Sequence, residues 1–146
     1  MAAPSIWFNG NISLEQLNRL SSGNMSEYLE IEFIEIGPDF LRARMPVTSK
    51  TKQPYGLLHG GASVVLAETV GSVASAIVVD WDQYQCVGLE VNANHLRAIR
   101  DGFVQATCRP VHLGRKTHVW DIRLTDDAGK LTCISRLTVA IIAKKL

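Results

Sequence analysis

The chain has 146 residues, of which 47% are hydrophobic and 20% charged, with a formal net charge of +1. These values describe one ordinary folded domain over residues 1–146 and exclude a disordered chain. The near-neutral balance removes any electrostatic case for a nucleic-acid or membrane-surface partner. Three scattered cysteines, Cys86, Cys108 and Cys133, form no CxxC pair, so they read as buried reduced thiols rather than a disulfide framework or zinc knuckle.

In chain order, Met1 to Phe8 lacks basic residues and is broken by Pro4. It does not read as a secretory leader, and the cytoplasm is the expected compartment. Ser13-Leu14-Glu15-Gln16 carries the capping-box pattern and predicts a short helix over about 13–22, ended by Ser21-Ser22-Gly23. Leu29 to Ile36 reads as a strand whose alternation slips at Ile34-Glu35-Ile36, the mark of a bulge. After Gly37-Pro38-Asp39, a second strand sets Leu41, Ala43, Met45 and Val47 on one face and Arg42 and Arg44 on the other. Thr48 to Gly56 is a polar loop.

His59 to Val79 differs in kind. It is a long run of small and aliphatic residues, too long for a typical strand and rich in alanine, and predicts a central helix over about 59–79 that is buried on most sides. Four strand-like segments follow, at about 84–97, 103–112, 115–125 and 130–142. The third places His118, Trp120, Ile122 and Leu124 on one face, and Asp126-Asp127-Ala128-Gly129 predicts a hairpin turn before the fourth. The order implies an α+β domain whose sheet wraps an apolar helix.

Glu68 is the one ionisable side chain between His59 and Asp80. A carboxylate in such a helix loses several kcal/mol of hydration unless compensated, which suits it to proton transfer or nucleophilic attack. On composition alone, a Glu on one solvated stripe of the helix is an equal reading. Ser72 lies one turn further on the same face. At the helix start, Gly60 and Gly61 leave N–H groups bare at the positive end of the dipole, His59 stands at the N-cap, and Gln53 lies upstream as a further donor. Gly60 and Glu68 are about 12 Å apart along the axis, beyond the reach of one side chain. Two copies packed antiparallel would bring them together, so the site is expected between subunits. His95 with Arg97, and the run His112-Leu113-Gly114-Arg115-Lys116, supply basic groups for phosphates. The four histidines show no metal-ligand spacing, and no metal is expected.

The stretch Gln53-Pro54-Tyr55-Gly56-Leu57-Leu58-His59-Gly60-Gly61-Ala62-Ser63, with Glu68 following, resembles the hotdog-fold acyl-CoA thioesterases. It is most similar to the branch acting on 1,4-dihydroxy-2-naphthoyl-CoA, 4-hydroxybenzoyl-CoA and other aryl thioesters. The similarity extends through Val87 to His95 and His112 to Arg115. It implies a curved antiparallel sheet around a long helix, pairing into dimers and usually into a homotetramer (a dimer of dimers), and hydrolysis of an acyl-CoA without a cofactor. It further implies that Glu68 is the nucleophile or general base and that the Gly60 N–H polarises the thioester carbonyl. Gln53 and His59 would position the thioester, with Ser72 near the attacking water. Gly88, His95, Arg97 and the loop from His112 to Thr117, with Gly114, Arg115 and Lys116, would line the coenzyme A path. Leu96 and Ala98 depart from relatives that carry His and Pro at those places. Two alternatives share the fold: a non-catalytic acyl-CoA sensor and an enoyl-CoA hydratase. The 60–79 run is long enough to cross a bilayer, but central Glu68 and the lack of flanking basic residues argue against a membrane.

Overall fold

The computed structural model describes residues 4–145. Two short helices, α1 (Leu14–Arg19) and α2 (Met25–Tyr28), precede strands β1 (Glu32–Ile36) and β2 (Leu41–Pro46). The long helix α3 (Gly60–Val78) follows, then β3 (Tyr84–His95), β4 (Phe103–Leu113), β5 (Thr117–Thr125) and β6 (Leu131–Ala143). The strands form one antiparallel sheet in the order β1-β2-β4-β5-β6-β3. Helix α3 lies against β2 through β6. This is the hotdog arrangement, a curved sheet around a central helix.

Alternation in the strands builds the core. Leu41, Ala43 and Met45 of β2, Trp120, Ile122 and Leu124 of β5, and Leu137 and Val139 of β6 are all fully buried, facing Leu66, Ala67, Val70 and Ala74 of α3. Each large side chain here contributes about 1.5–3 kcal/mol by leaving water. Gly71 lets the helix approach closely, since a Cβ there would lie 2.5 Å from Leu137 Cδ2. Although α3 has the length and apolar make-up of a membrane span, its apolar face is spent on this sheet.

Several sequence expectations hold. Ser13 caps α1 in a full capping box with Gln16, β1 bulges between Phe33 and Glu35, and the turn before β6 is closed by Asp126 and Gly129. The strand expected from Leu29 begins only at Glu32, a correction with a local cause. Asn24 caps Ser26 N–H and starts α2, Leu29 is absorbed as the helix's C-cap, and Glu30 turns the chain with φ +59. The cysteines are free. Burial pushes the thiols of Cys86, Cys108 and Cys133 upward, which keeps them protonated and unreactive.

A polar knot sits inside the core where α3 meets β5. The indole N–H of Trp120 donates to Ser75 Oγ (2.7 Å), and the same hydroxyl is hydrogen-bonded to His118 Nδ1 (3.1 Å). Burial first, and then nearby His112, hold the His118 imidazole below its ordinary value of 6.5. The unfolded chain therefore binds this proton more readily than the folded one. The stability conferred by the neutral ring is present above about pH 6.5 and lost as pH falls through the lower folded value. Urea unfolding midpoints are expected to decline between about pH 7 and pH 5, and the decline should be shallower in His118→Gln.

Candidate active site

The loop before α3 is tied down at both ends. His59 N–H donates to Thr51 O (2.8 Å) and Leu58 N–H to Ile99 O (2.7 Å), while Lys52 and Leu58 form a bridge. Within that frame Gln53 N–H donates to Leu57 O (2.8 Å) and Gly56 N–H to Gln53 O (2.9 Å), with Gly56 at φ +77. The Gln53 side-chain carbonyl accepts from Tyr55 N–H. This fixes the side chain and leaves its amide N–H groups available.

His59 is the N-cap of α3, its Nδ1 accepting from Gly61 N–H at 2.8 Å. Ala62 N–H donates to His59 O (3.0 Å). Of these first-turn donors, the Gly60 N–H has no partner among the described residues. It is a free donor at the positive end of a 19-residue helix.

Two turns along, Glu68 is half-buried and makes no hydrogen bond or ion pair among the described residues. Its carboxylate lies over the backbone of β3: a Cβ on Gly88 would come 2.5 Å from Glu68 Oε1. Ser72, also half-buried, stands one turn beyond. A half-buried carboxylate with no partner among the described residues keeps its oxygens open to accept a hydrogen bond or a proton.

The basic residues fall into two groups rather than one. His95, expected to share a strand face with Arg97, ends β3 and packs at the start of α3, its Nε2 2.8 Å from where a Gly60 Cβ would lie. Arg97 lies beyond the strand, its N–H bonded to Thr132 O. Gly114 and Arg115 instead line a cavity with Val79, Asp80 and Tyr84, at the far ends of α3 and β3. His112 packs its ring against Gly114, and Lys116 accepts Ile141 N–H at its carbonyl in the same loop. Through β5 and β6 the loop from Gly114 to Lys116 lies level with Cys86 and Val87 of β3, about 25–30 Å along the strand from His95 at about 3.3 Å per residue. Among the described residues no group of His, Cys, Asp and Glu is arranged to hold a metal ion.

The seat that Gly88 gives Glu68 was missed in the sequence. Its signal was available: a glycine mid-strand marks close approach of another group.

A curved sheet around a long helix whose first N–H and mid-helix carboxylate are both unpartnered among the described residues has the parts an acyl-transfer site needs. The sequence profile of the thioesterase superfamily matches residues 55–133, and the chain belongs to that family. It is 54% identical over 137 residues to the 1,4-dihydroxy-2-naphthoyl-CoA hydrolase of Escherichia coli, covering 94% of this chain and 99% of that one. It is 46% identical over 136 residues to the proofreading thioesterase EntH of Cronobacter turicensis, covering 93% and 98%. A crystal structure of a mutant thioesterase from Pseudomonas aeruginosa superimposes with a TM-score of 0.93 at 55% identity, covering 96% of this chain and all of that one. The protein is a thioester hydrolase.

Because a methyl group on Gly88 would collide with the carboxylate, Gly88→Ala is expected to displace Glu68. Misplacement on the ångström scale costs about 10- to 100-fold in turnover. Steady-state kinetics beside an unchanged circular dichroism spectrum would check it.

Proposed function

We propose that the chain hydrolyses an aromatic acyl-CoA to the free acid and coenzyme A, with Glu68 as nucleophile or general base and the Gly60 N–H holding the developing oxyanion. The observation that supports this most is the unpartnered Glu68 carboxylate on the same helix as the unpartnered Gly60 N–H. Water or Glu68 attacks the thioester carbon, charge builds on the carbonyl oxygen beside the N–H, and the sulfur leaves as thiol or thiolate. Gln53 and His59 orient the thioester, and Ser72 stands by the attacking water. No cofactor takes part; coenzyme A belongs to the substrate.

The site is shared between copies of the chain. Gly60 and Glu68 remain about 12 Å apart along one helix, and β3 is a sheet-edge strand with its outer side unpaired among the described residues. Pairing β3 with a second β3, antiparallel, sets two α3 helices side by side in opposite directions. Each then offers Glu68 to the other's Gly60, and Gly114 and Arg115 of one approach His95 and Arg97 of the other. A homotetramer built from two such dimers is the proposed assembly. The aromatic preference is supported by the similarity to the naphthoyl-CoA hydrolase.

Three measurements test this reading. Glu68→Gln, which removes charge and keeps size, should lower kcat by about 10²- to 10⁴-fold; near-normal turnover overturns the role of Glu68. Gly60→Pro removes the N–H at a first helical position whose φ proline matches, and its ring also presses on His95, so it too should be nearly inactive. Mixing the two inactive variants should restore activity through hybrid dimers, whereas no recovery after verified subunit exchange would show that each chain is self-sufficient. Benzoyl- and hydroxynaphthoyl-CoA should exceed hexanoyl-CoA in kcat/KM by about tenfold or more, and the reverse order overturns the substrate class.

A further inference from the structure

Gly88 and His95 are seven residues apart. In a regular strand, residues at odd spacing point to opposite faces. Here both face α3: Gly88 lies beneath Glu68, and His95 lies against Gly60. The cause is a register break between Gly88 and Glu90. Opposite them, β6 is regular, and its buried residues Val139, Leu137, Ser135 and Cys133 pair with Gly88, Val91, Ala93 and His95 in turn. Leu89 is the extra residue in β3, and it is 62% exposed. Beyond it Val91 and Ala93 are half-buried while Glu90, Asn92 and Asn94 are exposed, so the inward set has changed parity.

We propose that the Leu89 bulge places His95 in the thioester end of the site, as a positioning residue for the carbonyl that meets the Gly60 N–H, rather than on the nucleotide of coenzyme A. The imidazole fills the space that a side chain at position 60 would take, yet the residue remains exposed and reachable by substrate. It walls one side of the free donor and limits where an acyl oxygen can approach. Seven steps of regular strand would send His95 to the opposite face of the sheet, and the helix start would lie open. This inference rests on the reading that the thioester oxygen binds at Gly60.

The test uses two substrates with the same acyl group: the acyl-CoA and the acyl-pantetheine thioester, which lacks the nucleotide. His95→Ala should lower kcat/KM by about tenfold or more, by the same factor on both, with kcat carrying most of the loss. His95→Gln, which keeps a polar side chain of similar reach, should recover part of it on both. A loss confined to the acyl-CoA, or a change only in its KM, would make His95 a nucleotide contact and overturn the proposal. A wild-type protein inert toward every acyl-CoA would instead refute the hydrolase reading on which the proposal stands.

Discussion

The structure turns on one close approach, the Glu68 carboxylate lying on the bare backbone of Gly88. A charged group held half out of water without a counter-ion is unfavourable for folding, so the surrounding packing has to sustain it. The buried face of α3, from Leu66 through Ile77, is locked onto β2, β4, β5 and β6. Gly71 draws the helix down against Leu137. The rigidity that holds the carboxylate in place thus comes from ordinary apolar packing one helical turn away.

The start of the same helix follows a complementary logic. His59 satisfies Gly61 and its own carbonyl takes Ala62, so the cap is complete except at Gly60. Leaving one donor free while satisfying its neighbours produces a single directed N–H in place of a diffuse positive end. The tied loop from Thr51 to Leu58 fixes the cap in turn, and it holds Gln53 by the same backbone contacts. Donor and carboxylate are therefore each held by the packing and hydrogen bonds of their own chain, about two turns apart on one helix.

Much of this was legible in the residues. The capping box at Ser13, the inward set Leu41, Ala43 and Met45, and the isolated carboxylate at Glu68 follow from local patterns, because each depends on neighbours within one or two turns. Features that depend on register were not legible. The odd spacing of Gly88 and His95 signals a bulge only once both are known to face α3. The grouping of His95 with His112 to Lys116 rested on charge and on the family resemblance, and the topology sets His95 at one end of β3 and the Gly114–Arg115 turn toward the other. Ser75, a small polar residue in a helix, gave no sign that Trp120 and His118 converge on it across more than 40 positions. The short helix α2 was hidden because Asn24 acts through its cap, while the residues after it have the composition of a strand.

The two borders of the sheet are unequal. At one, β1 is five residues long and carries Glu32 and Glu35, a short acidic border that discourages further pairing. At the other, β3 runs for twelve residues with no proline or lysine and a single charge, Glu90, and its Val87 and Leu89 are exposed. A chain newly released from the ribosome thus carries an adhesive margin that any passing extended segment can join. Its colloidal behaviour depends on how long that margin stays uncovered, so protein concentration bears on this small domain more heavily than its compact core suggests.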